Sequence, residues 1–315
     1  MPVNKVVYFL IVAILIFLAA AAWNGCSGSA GGEKGPITVA SKIDTEGSLL
    51  GQMIILVLND HNFKTIDKTQ FGTTDVIRKA IISGEIDIYP EYTGNGGFFY
   101  PDTDSGIWKN AAQGYLKVKE LDKQQHNLVW LKPAAANNTW AIAVRGDLGR
   151  ERGLNTLEDF AAYVNGGGAV KLACSEEFVG RPDSLPAFEK AYGFHLDKAQ
   201  LVILSGGNTA QTEKAAADGT DGVNFAMAYG TDGALSVLGL HVLADTLGVQ
   251  PVYEPAPVVR GEVFDKYPEL AALLDPVFTS LNLETLQKLN GEIVAQGRLA
   301  RDVAADYLKS KGFIK

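Results

Sequence analysis

Four segments of this chain set aromatic rings where strands are expected to end. The first is Asp87-Ile88-Tyr89-Pro90-Glu91-Tyr92-Thr93-Gly94-Asn95, in which an apolar run (Ile86, Ile88) closes in a turn of rings and amides. The others are Asn137-Asn138-Thr139-Trp140, Ala228-Tyr229-Gly230-Thr231-Asp232-Gly233, and Pro251-Val252-Tyr253-Glu254-Pro255-Ala256-Pro257-Val258-Val259-Arg260. A ring face carries the negative part of a quadrupole, so several rings meeting at one point form a cage for a cation that has no N–H to donate. A lone tyrosine at such a place is more often core or rim packing, so the reading rests on the four segments together.

Catalytic chemistry is much less visible. His61, His126, His195 and His241 are scattered, with no metal-ligand spacing among them. No Gly-x-Ser-x-Gly elbow occurs, and Gly94-Asn95-Gly96-Gly97 lacks the lysine and helix signal of a phosphate cradle, so it reads as a tight loop. Glu176-Glu177 reads as an ordinary surface pair. No catalytic residue, metal or cofactor is expected, and the chain is read as a binder rather than an enzyme.

A length of 315 residues allows two domains with sizeable cores, and a net charge of −8 without a basic block argues against nucleic acid as a partner. At the N-terminus Lys5 precedes an apolar run from Val6 to Trp23, followed by Asn24-Gly25-Cys26 and small residues. This is the layout of an export signal. Three outcomes fit it: acylation of Cys26 as a bacterial lipoprotein, cleavage near Ala19–Ala22, or retention as an anchor. All three put the folded part outside the cytoplasm, in the periplasm or tethered to the outer side of the cytoplasmic membrane. Cys174, within the strand pattern Val170–Cys174, reads as a buried structural thiol.

The positioning elements follow from periodicity. Ile37–Ala40, Ile86–Tyr89, Leu128–Leu131, Trp140–Val144, Val170–Cys174, Phe225–Tyr229 and His241–Ala244 read as strands. Helical spacing covers Glu46–His61, a segment from Thr73 or Thr74 closed by Gly84, Ile107–Gln124, a helix opened by Thr156-Leu157-Glu158-Asp159, Leu185–Tyr192 and Ala210–Ala217. Three more helices, 262–274, 283–296 and 299–311, end the chain, with Pro268 dividing the first and Pro276 following it. Strands alternating with helices predict an α/β fold with mainly parallel sheets. No linker separates the halves, and the helical tail has to return to the first domain. The expected division is a leader at 1–34, one lobe from 35–138 with 243–315, and a second lobe at 139–242, joined by two chain crossings. A cleft between such lobes, lined by loops that follow strands, is the expected ligand site.

From Ile37 to Lys315 the chain resembles the substrate-binding proteins of bacterial ABC importers for glycine betaine and related quaternary ammonium osmoprotectants. Ser41-Lys42-Ile43-Asp44-Thr45-Glu46, Tyr89-Pro90-Glu91-Tyr92-Thr93-Gly94 and the three later segments carry the resemblance. It implies a type II binding-protein clamshell, acting as a monomer, that hands a small molecule to a membrane permease driven by an ATPase. Tyr92, Trp140 (where a tyrosine is common), Tyr229 and Tyr253 match the cage positions. Lys42, Asn95 (where a threonine is usual) and Arg181 match the positions that meet the ligand carboxylate. The competing readings are a surface lysine for Lys42 and a salt bridge to Asp183 for Arg181. Choline, carnitine and proline betaine are the alternative ligands, and a sensor on the same fold is the alternative class. Lys42 and Arg181 argue against choline, which has no carboxylate.

Overall fold

The computed structural model describes residues 33–206 and 208–315. The expected lipidation of Cys26, the alternative cleavage and the retained anchor all fall outside those residues. Among the described residues no helix is long and apolar enough to cross a membrane.

Among the described residues ten strands form two sheets of five. The first sheet contains β1 (Lys34–Lys42), β2 (Phe63–Gly72), β3 (Ile88–Tyr92), β4 (Leu128–Trp130) and β10 (Pro255–Arg260), in the order β2-β1-β3-β10-β4. The second contains β5 (Trp140–Arg145), β6 (Leu172–Ser175), β7 (Leu201–Leu204), β8 (Phe225–Tyr229) and β9 (Leu240–Val242), in the order β7-β6-β8-β5-β9. The chain therefore passes between the sheets twice, after β4 and before β10. Both sheets are mixed rather than mainly parallel as expected, because the strands next to the two passages, β5 and β10, run against their neighbours. In the first, β1 runs parallel to β3 while β10 is antiparallel to β3 and β4; in the second, β6 is parallel to β7 and β8 while β5 is antiparallel to β8 and β9.

The helix after β1, α1 (Thr45–Asp60), starts at Asp44, whose side chain accepts from the Gly47 N–H at 2.6 Å. Its apolar residues Leu49, Leu50, Met53, Ile54, Val57 and Leu58 are buried in one core with Ile37 and Val39 of β1. The tail returns to this core: Leu274 and Phe278 of α2 (Leu270–Thr279), Leu286 and Leu289 of α3 (Leu283–Gln296), and Val303 and Leu308 of α4 (Ala300–Ser310) all join it. Each amphipathic tail helix has an apolar face to hide, and full burial of a Leu or Phe side chain contributes about 1.5–3 kcal/mol. The helix opened by Thr156 carries the expected reciprocal cap with Asp159, and the helix Thr74–Ser83 ends on Gly84 at φ 80°, a conformation that favours glycine.

Several local expectations need correction. Three strands lie outside the seven expected: β2, whose sequence FKTIDKTQFG is polar and mostly accessible, as suits a charged edge strand; β7, a four-residue edge strand; and β10, whose Pro255 and Pro257 argue against a strand from sequence. Pro276 lies inside α2 rather than beyond it, since burial of Leu274, Val277 and Phe278 carries the helix through the lost hydrogen bond. The segment expected as one helix over Ile107–Gln124 is a 3-10 turn, Ser105–Lys109, followed by a helix over Ala111–His126. Gly94-Asn95-Gly96-Gly97 spans the end of a 3-10 turn and the start of a single helical turn over Gly96–Phe99.

Cys174 sits fully buried in β6, and burial pushes its thiol up to about 12. It should resist a thiol reagent such as Ellman's while the protein is folded and react only on unfolding, and absorbance at neutral pH with and without denaturant tests this. Rapid reaction of the native Cys26→Ser variant, in which Cys174 is the thiol that reports, would contradict the buried placement.

Candidate ligand-binding site

Strand register brings the rings together. Trp140 opens β5 and Tyr229 closes β8, and these antiparallel strands pair Trp140 directly with Tyr229, with ring centroids 4.7 Å apart. In the first sheet Tyr92 closes β3 opposite Pro255 at the start of β10, so Tyr253 arrives two residues earlier beside the same strand end. The Tyr253 ring lies against the turn after β3 so closely that a Cβ on Gly94 would stand 2.7 Å from its Cδ1, which only glycine permits. Tyr92, Trp140 and Tyr253 are buried in one apolar cluster with Phe178, and Tyr229 packs on it. Phe178 backs Trp140 at a centroid distance of 5.2 Å.

These rings line one cavity, with apolar ring walls and a few convergent polar groups, as small-molecule sites have. All seven residues singled out in the sequence reach its wall: Lys42, Tyr92, Asn95, Trp140, Arg181, Tyr229 and Tyr253. Burial raises the Tyr92, Tyr229 and Tyr253 hydroxyls well above the ordinary phenol range, so all three rings are neutral at physiological pH.

The polar groups are heavily engaged. Lys42 pairs with the fully buried Glu91 at 2.7 Å, and its Nζ stands 4.8 Å from the centre of the Tyr92 ring. Glu91 also accepts from the Tyr92 backbone N–H (2.7 Å), Asn95 Nδ2 (2.7 Å) and the Tyr89 hydroxyl (3.0 Å). Arg181 commits all five of its N–H donors. Nε and Nη2 grip Asp183 at 2.9 and 2.6 Å, Nη1 serves Asn95 Oδ1 at 2.8 Å and Glu177 at 3.0 Å, and Nη2 also reaches the Tyr253 hydroxyl at 3.5 Å. The salt bridge to Asp183, the competing sequence reading for Arg181, is present. Its 2.6 Å contact does not remove Arg181 from the cavity wall.

Sequence reasoning passed over three participants. Asp44 and Glu177 line the cavity from opposite sheets, Asp44 following β1 and Glu177 following β6. Burial raises the Asp44 carboxyl, with Glu177 adding to the effect through its charge. Glu46, in the first turn of α1, accepts from the Tyr92 hydroxyl at 3.0 Å, Asn138 Nδ2 at 3.0 Å and Asn290 Nδ2 at 2.8 Å. An acidic residue in a first helical turn signals capping and dipole chemistry, which concealed these roles.

Two mixed sheets joined by two passages, with a ring-lined cavity where strand ends face each other, define a substrate-binding protein of the type II periplasmic class. The chain belongs to the OpuAC family, the substrate binding domain of ABC-type glycine betaine transport systems, whose model matches residues 35–310. It is 58% identical over 280 residues to the glycine betaine-binding protein YehZ of Escherichia coli K12, covering 89% of this chain and 92% of that one. It is 33% identical over 279 residues to a glycine-betaine-binding protein of Pseudomonas aeruginosa, covering 87% of each. Among solved structures, apo YehZ from E. coli aligns with a TM-score of 0.65 at 57% identity, over 89% of this chain and all of that one. Lactococcal OpuAC in its closed form with glycine betaine aligns with a TM-score of 0.57 at 13% identity, over 90% and 100%, a likeness of fold alone.

Proposed function

We propose that this protein captures glycine betaine, or a closely related quaternary ammonium solute, outside the cytoplasm and delivers it to an ABC permease without chemical change. The observation that carries the reading is the convergence of Tyr92 and Tyr253 with Trp140 and Tyr229, from two sheets, on one cavity that also exposes Lys42. The four rings receive the trimethylammonium head, each contributing roughly 0.5–2 kcal/mol. Lys42, with one of its three N–H donors on Glu91, takes the carboxylate. Arg181 and Asn95 join it by exchanging their mutual hydrogen bond for ligand oxygens. Residues 35–138 with 243–315 then act as one lobe and 139–242 as the other, and a ligand touching both favours the closed state. Export, a lipid anchor at Cys26 and a monomeric state complete this reading, which needs no cofactor.

One observation favours a second ligand class. Asp44 and Glu177 bring two carboxylates to the cavity while Arg181 is fully engaged by the protein, a balance suited to a net cation such as choline. Calorimetric titration with glycine betaine, proline betaine, carnitine and choline separates the two. Saturable 1:1 binding with glycine betaine ahead of choline is expected. Choline ahead of every zwitterion would move the assignment to net cations, and no saturable binding of any of them would overturn the cage.

A further inference from the structure

Glu46 has a position that cavity lining alone does not explain. It is 4% exposed, and its three side-chain donors come from three distant segments: Tyr92 at the end of β3, Asn138 in the passage before β5, and Asn290 of α3. Asn290 Nδ2 also donates to the Thr231 carbonyl at 3.1 Å. The carboxylate thus ties the segments that present Tyr92, Trp140 two residues after Asn138, and Tyr229 two residues before Thr231. Among the described residues no lysine or arginine forms an ion pair with Glu46, so a charge here lacks the usual compensation for burial.

Building on the betaine reading, we propose that Glu46 is a positioning residue of the cage, fixing the Tyr92 ring through its hydroxyl and placing a negative charge at that end of the ring. A phenol donating to a carboxylate gains electron density on its face, which strengthens its hold on a cation, and the carboxylate adds direct attraction. Burial pushes the Glu46 carboxyl up to about 7, against the pull of its hydrogen-bond donors, and the neighbouring Asp44 raises it further. The other charged or titratable groups around the cage are Lys42 over Tyr92, its partner Glu91, Glu177 and Arg181 on the second-sheet side, Asp183 at the Tyr253 hydroxyl and on Arg181, and Asp232 with Glu213 beside Tyr229. The sign follows from linkage. The ionised form binds the cation better, so affinity rises with pH through the region of about 7 and falls below it, and binding releases protons there. Glycine betaine does not titrate in that window, so the change belongs to the protein.

The test is calorimetry with glycine betaine from about pH 5.5 to about pH 8.5 on the wild type, Glu46→Gln, Tyr92→Phe and the double variant, with proton release counted in buffers of different ionisation enthalpy. Wild-type affinity is expected to rise about three- to fivefold across the range, with proton release near neutrality. Glu46→Gln should lose the step about pH 7 and bind at the weaker, low-pH level, and its effect should not add to that of Tyr92→Phe. A step that persists in Glu46→Gln, or additive losses equal at every pH, would overturn the role. Where Glu46→Gln does not fold, the wild type still decides, because binding without proton release overturns the proposal. A wild type that fails to bind betaine overturns the ligand reading and this role with it, a result distinct from binding with no pH step.

Discussion

3,3-Dimethylbutanoate should bind at least about thirtyfold more weakly than glycine betaine. The two share a carboxylate and a three-methyl head, and differ in that the head carbon of one replaces the cationic nitrogen of the other. If Tyr92, Trp140, Tyr229 and Tyr253 hold the head by their ring faces, the neutral head forfeits roughly 0.5–2 kcal/mol per ring, and a combined loss of about 2–4 kcal/mol is expected. Apolar burial of the head would be retained, because the rings exclude water from either molecule equally. Asp44 and Glu177 on the cavity wall act in the same direction, since they attract the zwitterion's cationic end and repel the purely anionic analogue. Competition calorimetry measures the difference. Equal affinities would mean that shape alone governs the cage and that the electrostatic account of these rings is wrong.

Tyr229→Ala should weaken betaine binding by about 1–2 kcal/mol, a 5- to 30-fold loss, whereas Tyr229→Phe should bind nearly as well as the wild type. The contrast rests on geometry. The Tyr229 ring is paired with Trp140 by register and lies 4.7 Å from it, so truncation removes one wall and the lateral support of another. The loop after Tyr229 keeps its own anchor, because the Tyr229 backbone N–H donates to Asp232 at 2.6 Å whichever side chain follows. Thermal denaturation of each variant establishes that the fold is intact before affinities are compared. A Phe variant as weak as the Ala variant would shift the role from the ring to the hydroxyl.

Much of this protein was legible in its sequence because its signals are local. The helix 45–60 announces itself through Leu49, Leu50, Met53, Ile54, Val57 and Leu58, whose spacing makes sense only with one face buried. Thr156 and Asp159 mark a helix start by mutual hydrogen bonding within four residues. Strand β2 escaped because it lies at the sheet edge, paired on one side only, where polar and charged residues are favoured and leave no apolar alternation to read. The candidate site was legible as residue types at strand ends, since a ring after a strand is visible without knowing the partner strand. The commitments of its polar groups were not. Nothing in Phe178-Val179-Gly180-Arg181-Pro182-Asp183 says that Arg181 also reaches Asn95, which is 86 residues away.

By itself, then, the sequence determined seven of the ten strands, most of the longer helices and which rings stand at strand ends, because periodicity and turn chemistry act over a few residues. It also determined the family, through the order of its motifs. Only the tertiary structure decided that Trp140 faces Tyr229, that Glu46 gathers Tyr92, Asn138 and Asn290, and that Asp44 and Glu177 share a cavity wall with Lys42 and Arg181. Those relations depend on strand register and on two passages of the chain between sheets. Hydrogen bonds and charges act through space, and which of them meet is settled only when distant segments pack.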